Sequence, residues 1–366
     1  MIRRSNIAIS LGDPCGIGPE LLLASLPTIH SRTDVTVVGS RAGVDLLIGL
    51  PGAQVAWRWV EPPRPVPATF SGKAYGLQVY SMNEPSGQTL GEALWLDPTP
   101  EIGVEQLTLG EGSAASGRAT VEAIRVAALM TLGGATDALV TLPMAKSAAH
   151  LAGYPIPGHT EFLREISGAP ITRMAFVSPR LNVVLHTVHQ SLRSVLEGLN
   201  SEAVAETLTF STRQFIHLTG KCDLRVALCA MNPHAGEQGA FGGEERLLER
   251  AIKQAEASFR HDAQSAPVFS GPWPSDSVFQ RAAQGEFDLV VALYHDQGLI
   301  PVKLLEPAQA VNLTLGLPFV RTSPDHGTAF DKAGKWVADS QNFMAATALA
   351  IRLSQGAHQT VPSTRA

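Results

Sequence analysis

Apolar residues run along this chain in short uninterrupted blocks rather than in alternation. Asn6–Leu11, Val35–Gly39, Ala138–Leu142, Asn182–His186, Arg225–Ala230, Asp288–Tyr294 and Ala310–Leu315 are such blocks. Blocks of this length suit strands covered on both faces, as in a parallel sheet. Helical patterns lie between them: Gly18–Leu26, the alanine-rich Glu111–Leu132, the amphipathic Ser201–Leu218 and Gly243–Arg260, and Phe343–Leu353. Strands alternating with helices predict an α/β fold. Pro51–Pro100 departs from this rhythm, with eight prolines. Proline removes a backbone donor and fixes φ, so this stretch reads as an irregular excursion with an edge hairpin. The polar tail Gln355–Ala366 is expected to fray.

The length of 366 residues allows two domains or one large one. Hydrophobic residues make up 45% and charged residues 17%, which suits a large buried core. A net charge of -5 argues against a nucleic-acid partner, which would call for a basic patch. No apolar run reaches the ~18 residues of a membrane span, and Met1–Ser10 lacks the features of a secretory signal. A soluble, cytoplasmic protein is expected. Three cysteines without motif spacing imply no disulfide framework, whereas eleven histidines offer imidazole for metal or acid–base chemistry.

The candidate chemistry follows the strands. Gly12-Asp13-Pro14-Cys15-Gly16-Ile17-Gly18-Pro19-Glu20 is a glycine-rich strand-to-helix turn. It could cradle an anion or serve as a structural turn, and it is neither G-x-G-x-x-G nor a P-loop. In Gly158-His159-Thr160-Glu161-Phe162, Thr160 could cap a helix and leave His159 at its positive end. The alternative is a surface histidine in a capped turn. His186 and His189 follow another buried strand; their i, i+3 spacing points them to opposite faces, and His189 lies nearer the loop. His234 and His295 each close a further apolar block. Each histidine alone could be a polar loop residue. Three histidines on three loops, however, are how a catalytic divalent-metal site is assembled. Asp276 is a carboxylate near a predicted helix start, where helix-terminus electrostatics is the simpler role. Lys303 and Arg321 lie among apolar stretches, as partly buried cations that call for an anionic partner, either a ligand or an internal carboxylate. Lys146 is similar. His30, His150, His217, His261 and His358 carry no such context.

Together these segments resemble the 4-hydroxythreonine-4-phosphate dehydrogenase family of vitamin B6 biosynthesis. The matching residues are Gly158-His159-Thr160-Glu161-Phe162, Asn232-Pro233-His234-Ala235-Gly236-Glu237, Tyr294-His295-Asp296-Gln297-Gly298 and Asn312-Leu313-Thr314-Leu315-Gly316-Leu317-Pro318-Phe319. At the first ligand the family's His-x-Pro-Leu reads His189-Gln190-Ser191-Leu192, with His186 in reserve.

The resemblance implies two α/β lobes around a cleft, like isocitrate and isopropylmalate dehydrogenases. The first lobe would be residues 1–145 plus 310–366, with an insertion at 51–105, and the second 146–309. It implies a divalent metal (zinc, magnesium or cobalt) on His189, His234 and His295, with His295 reaching from the partner of a homodimer. Substrate contacts would fall on His159, Thr160, Lys303, Asn312 and Arg321, and catalytic roles on Asp276 and Lys303. NAD or NADP would bind without a Rossmann fingerprint. The implied reaction is metal-dependent oxidation of 4-phosphohydroxy-L-threonine to 2-amino-3-oxo-4-phosphooxybutanoate, which decarboxylates to 3-amino-2-oxopropyl phosphate. Two alternatives stay open. One is a dehydrogenase of the same fold for another 3-hydroxy acid, such as a phosphorylated sugar acid. The other is a non-redox metal-dependent phosphometabolite hydrolase or binding protein.

Overall fold

The computed structural model describes residues 4–51, 56–60, 67–70, 73–83, 89–260 and 266–360. The chain divides into two compact units, Met1–Pro170 with Leu317–Gln355, and a second built on Ile171–Gly316.

The first unit opens with β1 (Asn6–Ser10), α1 (Gly18–His30), β2 (Asp34–Val38) and α2 (Arg41–Asp45). Four strands follow: β3 (Ala56–Val60), β4 (Pro67–Phe70), β5 (Lys73–Asn83) and β6 (Thr89–Leu96). Next come α3 (Ala114–Leu132), β7 (Ala138–Thr141), α4 (Lys146–Leu151) and α5 (His159–Ser167). The second unit contains β8 (Arg173–Val177), β9 (Asn182–Leu185), α6 (Leu192–Glu197), α7 (Ser201–Thr219), β10 (Arg225–Cys229) and α8 (Glu245–Phe259). It continues through β11 (Val268–Trp273), α9 (Ser275–Ala283), β12 (Leu289–Ala292), α10 (His295–Leu305) and β13 (Val311–Leu315). The chain returns to the first unit with β14 (Val320–Pro324) and α11 (Gln341–Thr360).

In the first unit β1 lies between β2 and β7, with β6 beyond β2 and β14 beyond β7, all parallel. Ile7, Ile9, Val37, Leu139 and Val140 of these strands are fully buried, as continuous apolar runs require. The proline-rich region is more regular than its composition suggests. β5 pairs antiparallel with β6, β3 with β5, and β4 with β5. Three of the clustered prolines, Pro62, Pro63 and Pro65, lie outside the described residues; Pro67 sits at the first position of a strand, where proline is tolerated.

The units do not divide where the sequence suggests. α4 and α5 pack on α3, and Ala149, Ile156, Phe162 and Leu163 join its core, so Lys146–Ser167 belongs to the first unit. β13 belongs to the second because it pairs antiparallel with β8. α11 runs to Thr360, beyond the point where fraying was expected, and residues 361–366 lie outside the described set, as does His261. Among the described residues no helix is long and apolar enough to cross a membrane.

The turn Gly12–Glu20 spends its carboxylates internally. Asp13 Oδ1 accepts from the Cys15 N–H at 3.0 Å, and Ser116 Oγ donates to Oδ2 at 3.3 Å. Glu20 Oε2 accepts from the backbone N–H groups of Gly334 and Trp336. These contacts favour the structural reading of this turn. Burial raises the Asp13 carboxyl to about 6, against the opposing hydrogen bonds. The folded value lies above the unfolded one, so stability is fullest below the unfolded value of 3.8 and is lost as pH rises through about 6. Two units correspond to about 3 kcal/mol. Asp13→Asn keeps the acceptor for Cys15 and removes the charge. Chemical denaturation is expected to show the two proteins converging near pH 4, with the variant more stable by roughly this amount at pH 7. Parallel stability curves across that range would count against it.

Candidate active site

In the second unit β11, β10, β12 and β9 lie side by side and all run parallel. Their carboxyl ends therefore share one edge, the position where open α/β sheets bind ligands. Asp276 follows β11, His234 follows β10, His295 follows β12 and His189 follows β9. Four of the candidate residues thus come from four adjacent strand ends.

The β9 and β12 exits are tied together. The His186 N–H donates to Ala292 O at 2.8 Å, and Thr187 Oγ1 donates to Leu293 O at 2.7 Å. Gly298 allows α10 to lie close against these strands, because a Cβ there would fall 2.6 Å from Leu185 Cδ2 and 2.9 Å from Val183 Cγ1. His295, the first residue of α10, then stands with its ring centroid 6.0 Å from that of His189. The resemblance takes His295 from the partner subunit, whereas here the two rings lie side by side within one chain. His295 Nδ1 lies 2.7 Å from Asp296 Oδ1. A carboxylate only accepts, so Nδ1 is the donor in this contact, and Nε2 is the nitrogen turned toward a would-be metal ion. This is the carboxylate–histidine pairing that orients metal ligands.

His234 occupies an unusual backbone. His234 to Gln238 are consecutively left-handed, with φ between 41° and 74°. Such residues cost roughly 1–2 kcal/mol each outside glycine. Gly236 is required in this turn, since a Cβ would fall 2.6 Å from Glu245 Oε2. Buried Glu245 anchors the turn: its Oε1 accepts from the Asn232 N–H at 2.8 Å, and Asn232 Nδ2 also donates to Glu244 at 2.7 Å. His234 is exposed, with its ring 6.3 Å from Phe241. The donor set of three imidazoles suits a divalent ion. Among the described residues, however, no group of three His, Cys, Asp or Glu side chains of one chain is gathered closely enough to hold it.

His186 is not part of this set. Its Nδ1 pairs with Thr207 Oγ1 on α7 at 2.8 Å, and burial, with Arg173 adding, pushes its imidazole down to about 4. Asp276 is exposed in the first turn of α9. Lys303 is exposed rather than partly buried, because it lies on the outer face of α10 and not within the strand-like block that follows. Asn312 lies in β13 with Oδ1 buried and without a hydrogen-bond partner.

The remaining candidates belong to the first unit, at the carboxyl end of β7. Arg321 on β14 is only 2% exposed, and its Nε donates to Thr141 Oγ1 at 3.1 Å. Burial lowers the guanidinium to about 9, opposed by Glu161, so it remains charged at neutral pH. His159 is the first residue of α5, with Gly158 at the cap, so Thr160 lies inside the first turn rather than capping it. The His159 side chain is half-buried, yet its Nε2 is covered and without a partner. Burial, then the charges of Arg321 and Lys146, hold this imidazole neutral. Two cations and a neutral histidine face one carboxylate here, an arrangement open to an anion. Asp296, Gln297, Glu245 and Thr141 escaped the sequence reading. Only Asp296, adjacent to a candidate ligand, carried a signal.

The family model for "Pyridoxal phosphate biosynthetic protein PdxA" matches residues 71–350. The chain belongs to this family. A 4-hydroxythreonine-4-phosphate dehydrogenase of Desulfosudis oleivorans is 39% identical over 352 residues, covering 95% of this chain and 96% of that protein. A D-threonate 4-phosphate dehydrogenase of Cupriavidus necator is 37% identical, covering 93% and 94%. The crystal structure of 4-hydroxythreonine-4-phosphate dehydrogenase from Klebsiella pneumoniae superposes with a TM-score of 0.77 at 33% identity, covering 96% of this chain and 98% of that one. The resemblance read from the four motif segments and the α/β class both stand.

Proposed function

We propose that this chain is a dehydrogenase that oxidises 4-phosphohydroxy-L-threonine to 2-amino-3-oxo-4-phosphooxybutanoate, using NAD or NADP and a divalent metal. The 3-keto acid then loses CO2 to give 3-amino-2-oxopropyl phosphate. The observation that carries this is the set of four adjacent parallel strands delivering Asp276, His234, His295 and His189 to one edge. Family membership supports the substrate class.

His189, His234 and His295 would hold the ion, and Asp296 sets the His295 tautomer. When bound, the ion supplies Lewis acidity toward the substrate's secondary hydroxyl, and the nicotinamide takes up the hydride. Asp276 accepts the hydroxyl proton, directly or through water. Arg321 and Thr160 hold the anionic end of the substrate, and His159, Lys303 and Asn312 complete its contacts. His159 Nε2, as a bare acceptor, suits a donor hydrogen on the substrate. The working unit would be a homodimer with a shared site. Two features support this: no three ligands gather in one chain among the described residues, and exposed Leu192, Leu196, Phe241, Ile300 and Leu304 flank the three histidine loops.

Similarity to the D-threonate 4-phosphate dehydrogenase favours a second reading, in which a hydroxyl replaces the amino group beside the reacting carbon. NADH absorbance with each phosphate separates the two readings. The expected result is a higher kcat/KM for 4-phosphohydroxythreonine, lost on chelation and restored by cobalt or zinc. No reduction of NAD or NADP with either phosphate would overturn the proposal.

A further inference from the structure

Gln297 lies two residues beyond His295 and is 6% exposed. Its side-chain amide reaches three separate loops. Nε2 donates to Ala230 O at 2.8 Å and to Ser275 Oγ at 2.8 Å, and Oε1 accepts from the Leu293 N–H at 2.6 Å. Ala230 directly follows β10, four residues before His234. Ser275 opens α9 and adjoins Asp276. Leu293 directly follows β12, two residues before His295. The same loops are cross-tied by the Ala230 N–H donating to Trp273 O at 2.7 Å and by Ser275 Oγ donating to Ala230 O at 3.4 Å.

A primary amide has two donor hydrogens and a carbonyl acceptor, and Gln297 uses both hydrogens and the oxygen. Glutamate would lose both donors, methionine would lose every polar contact, and asparagine is one methylene short. His189 needs no such tether, because Thr187 already ties its loop to Leu293. Helix α10 begins with His295, so the hydrogen bond from Leu293 also orders its first turn.

We propose that Gln297 is a positioning residue. By joining the exits of β10 and β12 to the start of α9, it holds His234, His295 and Asp276 in place at the strand ends, and hence sets the fit of each to the metal site of the dimer that it serves. It does this without touching substrate. The inference rests on the metal-side reading of those residues.

The test is titration of the metal-stripped full-length protein with Co2+ alone, followed by absorbance, together with steady-state kinetics. Gln297→Met is expected to weaken Co2+ binding by about 10–100-fold, the range found for groups that support metal ligands, with a similar fall in kcat. The visible spectrum of bound Co2+ is expected to shift, and KM for the nicotinamide to stay unchanged. Ser275→Ala, which removes one arm only, is expected to lower kcat a few-fold and to add nothing to Gln297→Met in the double variant. A folded Gln297→Met protein with Co2+ affinity within about twofold of the parent and an unshifted spectrum would overturn the inference and leave the metal reading intact. If Gln297→Met fails to fold, Ser275→Ala indistinguishable from the parent overturns it equally. A parent protein that takes up no Co2+ defeats the metal reading, and this inference with it.

Discussion

His234→Ala is expected to abolish metal-dependent turnover while the chain keeps its fold. The imidazole is exposed at the edge of the second unit's sheet, so removing it deletes little packing. Substitutions of that kind usually change stability by no more than about 0.5 kcal/mol. The chemical loss is of another order. Charge stabilisation by a bound ion contributes several kcal/mol, and a loss of about 4 kcal/mol lowers the rate roughly 10³-fold. Thermal melting of the metal-free proteins should agree while Co2+ uptake and kcat collapse together. Retention of metal and of kcat within about tenfold would remove His234 from the ligand set. His234→Gly provides an internal control. It loses the same ligand but relieves a left-handed φ of 51°, so it should be more stable than the alanine variant by up to about 1 kcal/mol.

The second large effect is expected at Arg321. Arg321→Met preserves much of the side-chain volume and removes a charge that the first unit buries at a cost. Charged hydrogen bonds to a substrate anion contribute about 1.5–3 kcal/mol, so kcat/KM should fall by about 10²-fold, mainly through KM. The free protein should hold or gain melting temperature, because burial already depresses the guanidinium. Inorganic phosphate should raise the melting temperature of the parent more than that of the variant. Equal kcat/KM in the two proteins would take Arg321 out of the site.

Much of this was legible because hydropathy reports burial. Each of the seven uninterrupted apolar blocks contains a strand, and every proposed metal ligand follows one. The elements that escaped have physical reasons to do so. β14 reads Val-Arg-Thr-Ser-Pro, yet all five residues are buried, so its polar side chains hide its position from any hydropathy pattern. β11 contains Gly271-Pro272, which reads as a turn. In the proline-rich region, composition obscured strands whose pairing is set by partners on β2 and β6. At the site, residue type pointed to His189, His234 and His295. The supporting partners could not be read, because Glu245 lies 13 residues from Asn232 and Gln297 lies 67 from Ala230.

The sheet beneath the site also acts as a ruler. Neighbouring strands stand about 4.8 Å apart, so loops leaving β11, β10, β12 and β9 begin spread over roughly 14 Å. Ligands around a single ion must converge far more closely than that. His295 and His189 come from adjacent strands and already meet, while His234 starts one strand further away on the other side of β12. The left-handed turn bends the chain at His234, although no three such side chains of one chain are gathered among the described residues. Loop length at these strand ends is therefore dictated by hydrogen-bond spacing in the sheet. An inserted residue before His234 would displace the imidazole by about 3.3 Å, more than a metal–nitrogen bond length.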